Sequence, residues 1–178
     1  SGGKISPVTI AAAKIAGAGR IYKMGGAQAI AAFAYGTQTV PKVDKITGPG
    51  NIFVALAKKS VYGQVGIDMI AGPSEVLVLA DVNANERYIA ADFLSQAEHD
   101  EMAACILVTT DRAKGERIRA EILRQAESLT RKDIVLKSLE NYGTVIIADN
   151  LSDAVRVANR IAPEHMEVCT DEPEAVLP

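Results

Sequence analysis

Three observations predict an α/β chain with parallel-rich sheets flanked by helices. Short apolar runs alternate with segments of helical periodicity along the whole sequence, and glycine-rich turns stand between them, the pattern of consecutive βαβ units. The third is compositional: 48% of residues are hydrophobic, yet Trp is absent and aromatics make up only 4%. A core of Ala, Val, Ile and Leu follows, which suits strands buried on both faces.

The elements read in order as follows. Pro7 suits a first helical turn, so an Ala-rich helix is expected to about residue 16, stopped near Gly17 and Gly19. Ile21-Tyr22-Lys23-Met24 reads as a short strand, and Gly25-Gly26-Ala27-Gln28 opens a second helix through Tyr35. Lys45-Ile46-Thr47 is expected as a strand ending in Gly48-Pro49-Gly50-Asn51, from which a third helix runs over residues 52–62. The character changes from Val65, where Ile67-Asp68-Met69-Ile70 leads through Ala71-Gly72-Pro73-Ser74 into an apolar strand over 75–80. A domain crossover is placed near Gly72. The second half reads as a helix over 85–98, a strand over 105–109 and a charged helical hairpin over about 112–140. A strand over 145–148, a helix over 152–161 and a last strand over 166–170 complete it. The hairpin interleaves Lys and Arg with Glu, the mark of a solvated amphipathic face, and is assigned no chemistry.

Charge and cysteine usage narrow the function classes. A net charge of −3 offers no basic surface to neutralise phosphates, which argues against a nucleic-acid partner. Cys105 and Cys169 fall in apolar runs and are too few for a disulfide framework or a thiolate zinc cluster, so reduced core residues are expected. No apolar run reaches the ~18 residues of a membrane span, and nothing at the amino end reads as a signal peptide, which together point to a cytoplasmic protein. The sequence starts Ser1-Gly2-Gly3 without Met and stops at Leu177-Pro178 as a new helix begins. A piece of a longer protein is expected.

Three groups of residues are candidates for chemistry. The two glycine turns at 25–28 and 48–51 each join a strand to a helix, where backbone N–H groups face an anion such as a pyrophosphate. Neither is a full GxGxxG, and on spacing alone ordinary βα turn chemistry is the preferred reading. Gln96 and His99 are three apart on a predicted helix, with Asp92 one turn earlier, so one metal can meet both side chains; a polar helix face near a helix end is the bland alternative. A zinc site takes about four ligands, and the sequence does not visibly supply them. Pro163-Glu164-His165 follows a helix that Pro163 stops, leaving an acid and an imidazole in an irregular link where both can face one site. A solvent-facing polar turn is the competing reading there. Cys–His and Ser–His pairings stay open with nothing to nominate them.

Taken together, these residues resemble the histidinol dehydrogenase family. The matching runs are Tyr22-Lys23-Met24-Gly25-Gly26-Ala27-Gln28-Ala29-Ile30 and Pro41-Lys42-Val43-Asp44-Lys45-Ile46-Thr47-Gly48-Pro49-Gly50-Asn51. Further runs are Ile67-Asp68-Met69-Ile70-Ala71-Gly72-Pro73-Ser74-Glu75, Leu94-Ser95-Gln96-Ala97-Glu98-His99 and Ala162-Pro163-Glu164-His165. The resemblance implies oxidation of L-histidinol to L-histidine through histidinaldehyde, with two hydride transfers to NAD and a zinc that orients the substrate's imidazole and amine. It implies that Gln28 and Asn51 contact NAD, that Ser74 contacts substrate, and that Gln96 and His99 ligate zinc and also touch substrate. His165 is implied as the general base of the hydride-transfer steps, in contact with substrate, and Glu164 as the base that activates the water hydrating the aldehyde.

The same resemblance implies parts of two incomplete Rossmann-like domains, residues 1–71 on the NAD side and 72–178 on the zinc and substrate side. The family chain is longer. It takes an Asp and a His as further zinc ligands and a further substrate-contacting Glu from later segments, and an NAD-contacting Tyr from an earlier one. It forms an intertwined homodimer. The isolated segment is therefore expected to be inactive. Two other readings stand beside this one: a paralogous NAD-dependent dehydrogenase acting on another small alcohol, and a non-catalytic α/β module that self-associates.

Overall fold

A computed structural model describes residues 4–70, 72 and 74–176. The Ser1-Gly2-Gly3 start, Ala71 and Pro73 of the crossover, and the Leu177-Pro178 end lie outside the described residues. The chain divides into two compact units, Ser1–Gly72 and Pro73–Pro178. The α/β expectation holds in both: each has a parallel sheet flanked by helices.

The first unit contains α1 (Pro7–Ile15), α2 (Gly26–Tyr35), β1 (Lys45–Ile46), α3 (Ile52–Val61) and β2 (Gly66–Ile67). β1 and β2 pair in parallel, Lys45 with Gly66 and Ile46 with Ile67, so β1-α3-β2 is a minimal βαβ unit. Ile30 and Ala34 of α2, Ile46 of β1, and Val61 and Val65 form its small core. The strand expected over 21–24 is not formed: this stretch is irregular, with a bend at Lys23 and no ladder partner among the described residues, and a strand without a neighbour leaves its hydrogen bonds to water. Tyr22 instead packs edge-on against Phe33 of α2, ring centres 5.6 Å apart.

The second unit is built on β3 (Glu75–Ala80), β4 (Ala104–Thr109), β5 (Gly143–Ile147) and β6 (His165–Cys169), all parallel, in the spatial order β5-β4-β3-β6. Counted from β3, this is the 3-2-1-4 order of a doubly wound sheet. Alternation along β3 decides which residue meets which layer. Val76, Val78 and Ala80 pack with α4 (Glu86–Ala97), α5 (Arg112–Ala126) and α6 (Lys132–Tyr142) on one face, while Leu77 and Leu79 pack with α7 (Leu151–Ile161) on the other. Phe93, Leu77, Leu79 and Leu107 are almost wholly buried, each contributing ~1.5–3 kcal/mol of transfer free energy. Cys105 is buried and Cys169 half-buried, both as free thiols, and burial pushes the Cys105 thiol up to about 12, where it is inert.

Helix starts follow the capping residues. Asn85, Asp111 and Asn150 each accept a backbone N–H from the first turn of α4, α5 and α7, at 3.0, 2.6 and 2.9 Å. α7 stops at Ala162, which takes a left-handed conformation (φ 50°), and Pro163 cannot continue the helix. No described helix is long and apolar enough to cross a membrane.

Candidate functional site

In the second unit, the candidate residues gather at the end of the sheet where the strands begin. Half-buried Ser74 immediately precedes β3, and its carbonyl accepts the N–H of Ala104, the first residue of β4, at 3.2 Å. α4 runs back from the carboxyl end of β3, and Asp100 returns the chain to β4 through a turn in which its carbonyl accepts the N–H of Ala103 at 3.0 Å. The end of α4, with Gln96 and His99, therefore lies at the same edge as Ser74. His165 is the first residue of β6 and pairs with Val76 of β3, which brings the start of β6 to this edge too.

Two local expectations are corrected by these placements. His165 belongs to a strand rather than an irregular link, because the left-handed Ala162 ends α7 early enough for Pro163 and Glu164 to make the whole turn. His99 is not on the helix that carries Gln96: α4 ends at Ala97, Glu98 is its cap, and His99 follows in a turn. Its N–H still bonds the Gln96 carbonyl at 3.0 Å, a tightened last turn that keeps the two residues neighbours. Arg131 donates to the His99 carbonyl at 3.4 Å and so ties this turn to the start of α6.

The side chains differ in environment. Gln96 is 7% exposed, and its amide Nε2 is buried without a hydrogen-bond partner among the described residues. That nitrogen is a donor, and leaving such a group buried without a partner costs about 1–3 kcal/mol. Glu164 and His165 are exposed, and the His165 Nε2 and a Glu164 carboxylate oxygen are 3.8 Å apart. Two groups able to accept protons therefore stand side by side, open to a substrate.

Glu167 was not singled out by the sequence, and the strand register explains its place. His165, Glu167 and Cys169 pair with Val76, Val78 and Ala80, so all three share the α4 face of the sheet. Burial, then a hydrogen bond with the Asp92 carboxyl on α4 and the repulsion of its charge, push Glu167 up to about 7, with His165 opposing the shift. The alternation of His165, Glu167 and Cys169 along one strand was the available signal. An apolar hollow of about 340 Å³ between α5, α6 and β5, lined by Phe93, Ile122, Leu139 and Val145, holds none of the candidate residues.

At the opposite end of this sheet, where doubly wound folds usually hold a dinucleotide, the β3–α4 turn is hydrogen-bonded to the chain beyond β6. The Asp81 carboxylate accepts the N–H groups of Asn83 and Ala84 at 2.9 and 3.0 Å and that of Asp171, beyond β6, at 2.7 Å. The Asn83 side chain donates to the Asp171 carboxylate at 2.5 Å. The β3–α4 turn, Asp81-Val82-Asn83-Ala84-Asn85, contains no glycine to let a pyrophosphate approach.

In the first unit the two glycine turns lead into helix starts. Gly25 caps α2, and Gly26 has φ +71°, where a side chain would be strained and would meet the amide oxygen of exposed Gln28 at 2.9 Å. Asn51 caps α3, its side-chain oxygen accepting the Val54 N–H at 3.2 Å, which leaves the amide nitrogen as a donor. The end of α2 is tied to the start of β1, since the Phe33 carbonyl accepts the Val43 N–H at 3.0 Å. The amino ends of α2 and α3 therefore both point toward the end at which β1 stops.

One interaction here was illegible in sequence. Lys58, 3% exposed within α3, donates to the Gly48 carbonyl at 2.9 Å and pairs with the Asp68 carboxylate just after β2. Asp68 in turn accepts the N–H groups of Gly48 and Met69 at 2.7 and 2.8 Å. The Lys58 ammonium, then these backbone donors, hold its carboxyl well below the usual carboxylate range. Among the described residues no group of three or more His, Cys, Asp or Glu is arranged to hold a metal ion.

Comparison with known proteins agrees with the whole of this chain. The family model described as histidinol dehydrogenase matches residues 1–178. Among curated proteins, the histidinol dehydrogenase of Geobacter metallireducens is 60% identical over 177 residues, covering 99% of this chain and 41% of the relative. That of Bacillus subtilis is 54% identical over 175 residues, covering 98% of this chain and 41% of the relative. The crystal structure of histidinol dehydrogenase from Elizabethkingia anophelis superposes with a TM-score of 0.89 at 41% identity, over 97% of this chain and 40% of that one. The chain thus spans about two fifths of its relatives' length, and over that span it belongs to the histidinol dehydrogenase family.

Proposed function

We propose that this chain supplies part of the active site of a histidinol dehydrogenase that oxidises L-histidinol to L-histidine, through the aldehyde, with NAD and zinc. The observation that carries this reading is the gathering of Ser74, Gln96, His99, Glu164 and His165 at one edge of a sheet in a chain matched to the family along its full length. The first unit is the NAD side and the second the zinc and substrate side of the enzyme, which we take to be a cytoplasmic homodimer.

The residues present fit both groups. The side-chain oxygen of Gln96 and a ring nitrogen of exposed His99, on residues joined by a backbone hydrogen bond at the end of α4, are of the donor types that would hold a zinc ion. Asn51 keeps a donor at the start of α3, and Gln28 stands exposed in the first turn of α2, as suits contacts to a dinucleotide. When bound, NAD accepts hydride in two successive oxidations, and zinc anchors the substrate's imidazole and amine as a Lewis acid.

This chain's own residues then bind the substrate and move its protons. Gln96 and His99 fix the substrate end that carries the imidazole, and Ser74 adds a contact from the start of β3. His165 takes the proton from the substrate hydroxyl as the first oxidation proceeds. Glu164 takes a proton from the water that adds to the aldehyde carbon while the proton His165 gained in the first oxidation passes to the carbonyl oxygen, giving the neutral hydrate; His165, neutral again, then takes the hydrate's hydroxyl proton in the second oxidation. Exposure of both side chains lets these protons pass to solvent.

The test is NADH formation from histidinol by a full-length family member carrying this segment, stripped of metal and then given zinc. Two NADH per histidinol, lost on stripping and restored by zinc, is the expected result; oxidation of other small alcohols but not histidinol would overturn the substrate assignment.

A further inference from the structure

We infer that Lys58 and Asp68 are positioning residues for NAD: together they hold the Gly48-Pro49-Gly50-Asn51 turn in the shape that presents Asn51 and the start of α3 to the dinucleotide. This rests on the assignment of the first unit as the NAD side.

The β1–β2 ladder is only two residue pairs long, Lys45 with Gly66 and Ile46 with Ile67. So short a ladder cannot by itself fix the chain beyond Ile46 and Ile67. The clamp continues it. Asp68 accepts the Gly48 N–H at 2.7 Å, as a further rung would, and Lys58 closes the other side through the Gly48 carbonyl at 2.9 Å. Both backbone polar groups of Gly48 are thereby fixed, at a φ of +115° that favours glycine.

The same contacts decide which N–H groups an anion can meet. The Gly48 N–H is spent on Asp68, Pro49 has none, and the Val54 N–H is spent on Asn51. The Gly50, Asn51, Ile52 and Phe53 N–H groups and the Asn51 amide nitrogen are the donors of this turn with no partner among the described residues. The original expectation that this glycine turn offers its backbone to a pyrophosphate is thus narrowed to its second half. A Cβ on Gly50 would overlap the Val54 side chain, so the backbone there lies tight on the first turn of α3. Asp68 brings a negative charge close to this turn, and Lys58 with two backbone donors offsets it. Loss of either partner both loosens the turn and leaves one charge buried or facing the ligand without its counterpart.

The experiment uses a full-length family member carrying this segment, with variants Lys58→Met, Asp68→Asn, the double Lys58→Met/Asp68→Leu, and Asn51→Ala. NAD dissociation is measured by calorimetry without turnover, beside KM for NAD, KM for histidinol, bound zinc and melting temperature. We expect Lys58→Met and Asp68→Asn to weaken NAD binding at least ~10-fold and raise KM for NAD in proportion, the scale of a small misplacement of binding groups. KM for histidinol and bound zinc stay at the parent values. The double variant, with no unpaired charge, is expected to regain melting temperature while keeping the NAD defect, which separates positioning from folding. Parent-like NAD binding in both single variants, or recovery of NAD binding along with stability in the double variant, overturns the proposal while Asn51→Ala still weakens NAD. NAD binding unaffected by Asn51→Ala would overturn the NAD-side assignment itself, and this proposal with it.

Discussion

Glu167 on β6 and Asp92 on α4 share a hydrogen bond between carboxyl groups, two residues along the strand from His165. Burial, then the Asp92 carboxyl, favour the neutral form of Glu167, on the sheet face that packs against the helix carrying Gln96. Glu167 is raised from 4.5 to about 7, so the folded state binds a proton that the unfolded chain releases. Its contribution to stability is fully present below pH 4.5 and is lost as pH rises toward about 7. Glu167→Gln is therefore expected to flatten the fall of melting temperature between these pH values. Parallel melting curves for parent and variant across that range would contradict the raised pKa of Glu167.

Removing a metal ligand has a different signature. Gln96→Ala and His99→Ala each delete one of the proposed ligands from a site type that takes about four, and each is expected to abolish tight zinc binding. Metal analysis of the purified full-length variants checks this, and full occupancy in both would reduce the end of α4 to an ordinary polar surface.

Glu164 and His165 stand 3.8 Å apart, yet their proposed roles separate in time. Glu164→Gln is expected to slow oxidation of supplied histidinaldehyde more than the first, alcohol-oxidising step. Equal loss in both steps, followed by stopped-flow NADH absorbance, would remove the water-activating role.

Expressed alone, these 178 residues are expected to form no NADH from histidinol, since the described residues bring together only two of the proposed zinc ligands. NADH formation by the fragment, free of host enzyme, would show that fewer groups suffice.

The readability of the sequence followed the range of the interactions. β3 occupies Glu75–Ala80 as expected, because an unbroken apolar run buried on both faces leaves little alternative. α3 was equally plain, with Asn51 before it and an apolar repeat within it. Ile21-Tyr22-Lys23-Met24 has strand composition but no partner, and composition alone does not reveal a partner. Gln96 and His99 were read as one helical face from their spacing, whereas the helix ends between them; the turn at Asp100 that fixes this end is set by pairing with β4. The Lys58–Asp68 clamp was invisible because it joins a helix interior to a loop ten residues away, a contact made only by the fold. The site residues themselves came from resemblance rather than from spacing, which left each motif with an ordinary structural reading.

In the proposed site His165 moves protons while Gln96 and His99 hold metal at the same edge of one sheet. The most direct measurement compares His165→Asn with Gln96→Ala in the full-length enzyme, reading histidinol-dependent NADH formation and bound zinc on the same samples. The account predicts that His165→Asn loses ~10²–10⁴-fold in turnover with zinc retained, while Gln96→Ala loses both. Parent-like turnover in His165→Asn, or loss of zinc in that variant equal to the loss in Gln96→Ala, would contradict it.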